Sequence, residues 1–487
     1  MFETYTEETL GLMRGALDPQ SQLFKAITTA TNLTGYSLEA PAKKLYPVRA
    51  PLRNRIPRRV SPTGATAVNW KAVTGINTAN VKASVAFGTR NSEITYTTAS
   101  KSATYKTYGL DDSVQDEAVW MGRGFEDVRA LSMLATLESV MMEEEKLILG
   151  GNPGAADGGV ALGTGGSPTL DVSTAGGCTG TFNVVIVPLT LYGYLSRTVV
   201  AGVTTAILTA TEHGKQSSAI STGSITSNKI IATWTATAGA VAYAVYAGAT
   251  GSEKLQDVVT VNAWNSGSAA LTTTGQLLSA LTDSDVGADT EDFAGIIPQL
   301  FASGSGAYLV SKGGAVLTAD GAGGIAEFDT LFKSLWDTWG IGPTLAIMNS
   351  QEAQNITKKV MGSGSTTSSA VQYRVNLTDG SKNITGSLFV SGIVNKFTSG
   401  ARPGEPDTVP FLIHPYLPPG MVIFLSEQLP YPNASVSNVL EMDLLQEYAE
   451  FEWARTQRKY EHGVYANGVL KMYFPAGCGV LYNIANG

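Results

Sequence analysis

Cysteine is almost missing from this chain: Cys178 and Cys478 are the only two in 487 residues. Two thiols so far apart exclude a disulfide-stapled framework. Charge is also sparse. Only 15% of residues are charged, against about a quarter in ordinary soluble domains. The net charge of −8 argues against a general nucleic-acid binder, which is usually basic. Three histidines occur, His213, His414 and His462, with no helical pair and no Cys partner at metal-ligand spacing. Neither a Walker A sequence nor a nucleophile elbow is present, and GATGSEKL is only a turn with a lysine. No run of about 20 apolar residues exists, so no membrane-spanning helix is expected. The opening MFETYTEETLGLMRG is acidic and lacks the basic-then-apolar order of a signal peptide. A cytosolic site of synthesis is expected, and a start at Met1 predicts no large removed prosegment.

What is abundant is glycine, at 53, and hydrophobic residues, at 43%. That mixture predicts β-rich structure with many turns and much surface hidden by association, in two or three domains. Residues 1–40 carry a short helical signal, with Leu10, Met13 and Leu17 on one face and Thr6, Glu7 and Glu8 at its start. From Lys43 to Arg59 come seven basic residues (Lys43, Lys44, Arg49, Arg53, Arg55, Arg58, Arg59) and no acid. Pro41, Pro47, Pro51 and Pro57 stiffen this stretch into an extended strap. Contact with an acidic protein surface is favoured over contact with packaged nucleic acid.

Residues 61–108 read as one long hairpin. Val68, Trp70 and Ala72 alternate with polar residues on the way out, and Ile94, Tyr96 and Thr98 on the return. The ribbon has too few large apolar residues for a core of its own, and an isolated two-stranded ribbon is marginal in water. It must lie on its own body or on another copy. The pattern turns helical at Asp111–Asp112. From Gly124 to Leu149, Val128, Leu131, Leu134, Leu137 and Met141 recur every three or four residues, with Glu126 and Asp127 in the first turn and Gly150–Gly151 at the end.

Between about Gly163 and Gly275 the acids number four (Asp171, Glu212, Glu253, Asp257) and the bases four (Arg197, Lys215, Lys229, Lys254). FNVVIVPLTLYGYL, KIIATWTATAGAVAYAVYAG and DVVTVNAW read as strands of a separate all-β unit. Ile230, Ala232 and Trp234, then Gly239-Ala240 and Tyr243-x-Val245-Tyr246, resemble the Trp and Tyr strands of a fibronectin type III domain. In that resemblance Trp234 packs across a sandwich from Tyr243 and Val245. The strand Phe182-x-Val184-x-Ile186 resembles a late strand of that family yet precedes the Trp strand, so an altered strand order is expected.

Asp283, Asp285 and Asp289 invite a calcium-loop reading. It fails because Gly287 stands at the fifth position and Ala294 where the terminal Glu belongs. Asp289 or Thr290 as a helix cap, with Glu291 and Asp292 in the first turn, is the better account. Phe328, Leu331, Phe332, Leu335, Trp336 and Trp339 mark an amphipathic helix stopped by Gly340 and Gly342-Pro343. TLAIM leads to Asn349-Ser350, a cap for the helix QEAQNITKKV. Strands follow in SLFVSGIV, PFLIHPY, MVIFLSE and from Val439 to Ile484. The acids of EMDLLQEYAEFEW read as surface acids of a strand rather than a catalytic pair, and His414 as structural. No catalytic, metal or cofactor-binding residue is assigned.

The order of parts (arm, long hairpin, spine-like helix, mixed body) resembles the major capsid protein of tailed bacteriophages, the Hong Kong 97-type fold. TLAIMNSQEAQNI after FDTLFKSLW, LPPGMVIFLSEQLPY and GVLKMYFPAGCGVLYNI carry the match. The resemblance implies an α+β chain: N-terminal helix and arm, 1–60; extended-loop hairpin, 61–110; spine helix and first part of the peripheral domain, 111–162; an immunoglobulin-like insertion displayed outward, 163–275; remaining peripheral and axial domains, 276–487. It implies a non-enzymatic virion subunit, assembled in the host cytoplasm into pentamers and hexamers of an icosahedral head. Its partners would be further copies of itself, scaffold, portal and a decoration protein, with double-stranded DNA touched non-specifically and no membrane. Expected inter-subunit contacts are Arg49, Arg53, Arg55, Arg58, Arg59, Trp70, Lys71, Lys82, Arg90 and Tyr96. Lys71 and Lys82 give no ground for assigning a crosslink. The rival readings are a tail-tube subunit, which has no need of the 125–149 helix, and a secreted glycan-active enzyme, which needs a signal peptide and paired pocket carboxylates.

Overall fold

The structure is a computed structural model that describes residues 48–60, 66–123, 126–321, 324–362, 390–397, 408–429, 431 and 436–487. The helix expected over 1–40, Lys43, Lys44 and the start of SLFVSGIV lie outside the described residues.

Along the chain, a short helix α1 (Pro51–Arg55) leads into β1 (Arg58–Val60). The hairpin strands β2 (Ala67–Ile76) and β3 (Tyr96–Thr104) follow, then β4 (Lys106–Gln115). Helices α2 (Asp116–Met121) and α3 (Val128–Gly150) come next. The low-charge stretch holds β5 (Thr169–Asp171), β6 (Ala175–Leu189), helix α4 (Leu191–Leu195), β7 (Thr198–Val200) and β8 (Val203–Ala206). It continues through β9 (Ile220–Asn228), β10 (Ile231–Thr233), β11 (Ala242–Gly248), β12 (Lys254–Val259) and β13 (Ala263–Asn265). The last part contains α5 (Ile296–Phe301), β14 (Tyr308–Ser311), α6 (Ala326–Trp339), β15 (Leu345–Met348) and α7 (Ser350–Gly362). It ends in β16 (Gly392–Val394), β17 (Thr408–Ile413), β18 (Val422–Leu425), β19 (Leu440–Glu452), β20 (Lys459–Met472) and β21 (Gly479–Tyr482).

Two units divide the chain. The smaller comprises residues 1–47, 113–132 and 455–460. In its described part, the guanidinium groups of Arg455 and Arg129 stack on the Tyr460 ring at 3.4 and 3.9 Å. Arg458 pairs with Glu117 at 3.1 Å, and Asp127 accepts from the amides of Arg129 and Ala130, capping α3.

The larger unit is organised around a six-stranded mixed sheet, ordered β14-β21-β18-β15-β17-β16. Strand alternation divides its side chains between two cores. Ala346, Met348, Val422, Phe424 and Leu481 face α6, whose Phe328, Leu331, Phe332 and Leu335 form the expected stripe. Phe328 and Phe332 meet Phe424 edge-on at 4.9 and 5.3 Å. Leu345, Ile347, Ile423, Leu425 and Val480 face the other way, into the main core. Gly340 closes α6 at φ +62°, a left-handed position that suits glycine. Asn349 caps α7 by accepting the Gln351 amide at 2.9 Å. A four-stranded sheet, β1-β19-β20-β4, supplies Met442, Leu444, Val469 and Leu470 to the main core.

Within 169–265 the strands form a three-stranded sheet, β13-β10-β5, and a four-stranded sheet, β12-β11-β6-β9. Cys178, Val184, Ile186, Trp234, Tyr243, Val245 and Trp264 share one core, with the Trp234 and Tyr243 rings T-shaped at 5.4 Å. Phe182 packs against this core from β6, which precedes the Trp strand and pairs antiparallel with β11. The far face of the larger sheet gathers Val185, Val187, Ala244 and Tyr246 with Ile207, Leu278 and Leu281.

Four local expectations are corrected. Residues 111–115 are strand, not helix, because their backbone continues β4 beside β20. LYGYL is helix α4, not strand, since Thr190 Oγ1 accepts the Gly193 amide and turns the chain. Asp289–Asp292 do not open a helix: Asp289 Oδ1 accepts the Glu291 amide in a turn, and α5 starts only at Ile296. Asp443 is not a surface acid. It is buried, 2.7 Å from Lys471 and 3.1 Å from the Tyr105 hydroxyl.

Candidate assembly surface and the clamp beside it

The strap that carries most of the basic residues folds back on its own chain. Leu52 and Ile56 are buried in the main core, and β1 pairs in parallel with β19 (Arg58 opposite Met442). What draws it there is a pair of acids on α3. Glu144 and Glu145 lie on the inward face, fully buried. Glu145 accepts the main-chain amides of Leu52 at 2.9 Å and Arg53 at 2.7 Å, so it caps the first turn of α1. It also meets His414 Nε2 at 2.7 Å. Glu144 accepts from Arg53 Nε and Arg58 Nη2, both at 2.8 Å, from the Tyr108 hydroxyl at 2.7 Å and from the Tyr448 hydroxyl.

These contacts set the protonation of the clamp. Burial pushes the Glu144 carboxyl up, but the hydrogen bond and charge of Arg58 and the two tyrosine hydroxyls outweigh it and hold the group below its usual value. Burial and the Glu144 charge push Tyr448 up to about 12. The clamp is therefore an ionised carboxylate with its lone pairs occupied, the arrangement a buried charge requires.

The expected contact residues separate into two sets. Arg53, Arg55 and Arg58 have their charges met within the chain, Arg53 and Arg58 by Glu144 and Arg55 by both oxygens of Glu427, one at 2.7 Å. For Arg53 and Arg58 the nearest buried acid lies on α3 of the same chain. Arg49 and Arg59 are exposed. Trp70 packs edge-on against Tyr473 at 5.8 Å and roots the hairpin. Beyond that root the ribbon is bare. Lys71, Lys82, Arg90 and Tyr96 are all exposed, as are Val73, Ile76, Val85, Phe87 and Ile94. Under the ribbon runs a groove of about 1040 Å³ bordered by Arg59, Trp70, Ile76, Tyr96, Trp339 and Tyr473.

Glu144 and Glu145 escaped the sequence reading. A signal was present: Glu144 lies four residues after Val140 and four before Ile148, on the apolar face of the helix. Among the described residues no group of three or more His, Cys, Asp or Glu side chains is placed to hold a metal ion, and no helix is long and apolar enough to cross a membrane.

No family model matches the sequence, and no curated protein matches it. Among solved structures the chain is similar to the capsid of Myoviridae phage XM1, at 11% identity and TM-score 0.39, over 93% of this chain and 97% of that one. It is similar to the cyanophage A-1(L) capsid at 9% identity and TM-score 0.42, over 94% and 98%. It is also similar to the SrpI encapsulin of Synechococcus elongatus PCC 7942, at 9% identity and TM-score 0.38, over 93% and 94%.

Proposed function

We propose that this chain is the structural subunit of a closed protein shell, a phage-type major capsid protein that does its work by assembling with copies of itself into pentamers and hexamers around a genome. The observation that carries this reading is the ribbon of β2 and β3. Among the described residues it is a two-stranded sheet with no third strand, and its outer half leaves Val73, Ile76, Val85, Phe87 and Tyr96 at least half exposed. Such a ribbon gains little by standing alone and gains burial only against something further. The same chain supplies a 23-residue helix, about 35 Å long, locked to the strap by the Glu144 clamp. A packed core with a bare ribbon is the form a lattice subunit requires.

In this reading the two sheets of 169–265 form an inserted sandwich displayed on the outer face. Their ends support it: the Gly163 amide donates to the Asp285 carboxylate at 2.6 Å, so the segment leaves and rejoins the body at one place. Scaffold, portal and decoration proteins and non-specific DNA contact belong to the same reading, as does a virion location and the absence of a catalysed reaction.

Negative-stain imaging and sedimentation of the purified full-length chain test the proposal. Shells, pentamers or hexamers are expected. Uniform tubes, or a monomer that stays monodisperse at high concentration, overturn it.

A further inference from the structure

We infer that the shell is joined by one aromatic knob and hole: Phe87, at the tip of the hairpin of one copy, seats in a hollow on the β19–β20 sheet of the next. This rests on the assembly reading above and names the residues that make the joint.

The knob is built to be shown. The Thr89 amide bonds to the Ala86 carbonyl at 3.1 Å, closing a tight turn with Phe87 and Gly88 at its centre. Gly88 has φ +82°, as the third position of a type II turn demands. The turn leaves Phe87 fully exposed, with Val85 half exposed beside it. A phenyl ring at a turn apex is an uncovered apolar surface, and among the described residues none covers it.

The hole is equally specific. The pairing of β19 with β20 slips twice, between Leu444 and Gln446 and between Gln446 and Ala449. Where the strands part, a hollow of about 160 Å³ opens, lined by Gln446, Phe451, Trp453, Tyr465 and Asn467 among others. An apolar cavity of about 150 Å³ takes up benzene, so the volume suits one phenyl ring. The walls are aromatic. Phe451 and Trp453 lie nearly parallel, 6.3 Å apart, and Tyr465 stands edge-on to both at 6.0 and 6.3 Å. Asp111 fixes two of them, accepting from the Tyr465 hydroxyl at 2.8 Å and from Trp453 Nε1 at 3.3 Å. Phe451 and Trp453 are 39% and 47% exposed, an open aromatic wall on the free chain.

Charge selects this occupant. The tip, residues 77–95, carries Lys82 and Arg90 against one acid, Glu93. Both cations are exposed and make no ion pair among the described residues. At the hollow the acid is Asp111, bonded to two of its walls, and between the lining residues Gln446 and Phe451 the strand β19 carries Glu447 and Glu450, both exposed and without an ion pair among the described residues. A basic tip with an aromatic apex thus meets an aromatic hole that Asp111 holds and whose strand β19 carries two exposed acids, and opposite charge steers the encounter.

The test co-assembles two full-length chains of different tag length, one Ala86→Cys, which keeps the Phe87 ring, and one Gln446→Cys, treated with a short bismaleimide. The native Cys178 and Cys478 are buried and do not compete. A mixed dimer band that needs both cysteines is the expected result. In parallel, Phe87→Ala, with an unchanged thermal melt, should raise the concentration needed for assembly about tenfold or more. If wild type assembles but no mixed band forms, or the link closes within one chain, the knob-and-hole joint is wrong and the shell reading survives. If wild type does not assemble at all, both fall.

Discussion

Replacing Glu144 is the sharpest probe of how the strap is held. In Glu144→Ala the guanidinium groups of Arg53 and Arg58 and the hydroxyls of Tyr108 and Tyr448 lose a common acceptor. The two arginine side chains are only 15% and 22% exposed, so water replaces that acceptor poorly. Breaking a buried pair from one side costs about 3–5 kcal/mol. Glu144→Gln keeps the shape and accepts fewer bonds without charge, and should cost about half as much. Urea denaturation gives the global loss, and trypsin cleavage after Arg53, Arg55 or Arg58 reads release of the strap directly. The double variant Glu144→Gln with Arg58→Met should cost less than the sum of the singles, by about 1–3 kcal/mol. The pH dependence has a definite sign. The Glu144 carboxyl is held below its ordinary value in the folded state. Its contribution is therefore complete above about pH 4.5 and is lost as pH falls through the lower folded value. Wild type should gain trypsin sensitivity in that acid window, tested after brief acid exposure and quench, and Glu144→Gln should not change across it. Wild-type stability and unaltered cleavage in Glu144→Ala would refute the clamp.

Other outcomes are expected. Removing residues 77–95 with a two-residue turn in their place should leave the melt within about 0.5 kcal/mol of wild type while abolishing assembly in sedimentation. Trp234→Ala should cost about 3–5 kcal/mol, because its ring is buried against Tyr243, measured by thermal melting of the full chain. Lys471→Met should cost about 3 kcal/mol or more by stranding Asp443, and Asp443→Asn in the same background should recover part of it. Burial raises Asp292 to about 7. The folded state then holds a proton that the unfolded state releases near pH 4, so this group lowers stability as pH rises from about 4 to 7. Asp292→Asn should therefore match wild type below pH 4 and exceed it at pH 8 in denaturant titration.

Local pattern was readable where local forces decide the structure. The stripe of α6, the Asn349 cap and the alternation of the hairpin needed only periodicity and capping chemistry. The strap's partners within the chain were not legible, because the acids on α3 are 86 to 93 positions away and Glu427 is 372 away. A run of arginines without neighbouring acids looks unsatisfied until the fold brings Glu144 and Glu145 beside it. Residues 111–115 failed for the same reason: pairing with β20 overrode a weak local signal. Asp443 sits in an alternating acidic strand whose inward member is matched by a lysine 28 residues on, which alternation alone does not disclose. In the surface itself, the bareness of the hairpin was legible from its lack of large apolar residues. The hollow at Gln446 was not, since strand slips leave no mark in composition.

The ribbon of β2 and β3 has one further consequence. Among the described residues each of its strands pairs with the other and with no third strand, so its outer borders offer backbone edges alongside apolar side chains. Such borders will adhere to any extended backbone, correct or not. A newly made chain is thus sticky from the moment it folds, and its safe waiting time shortens as chains accumulate. Orderly growth then depends on keeping loose chains dilute relative to growing rims.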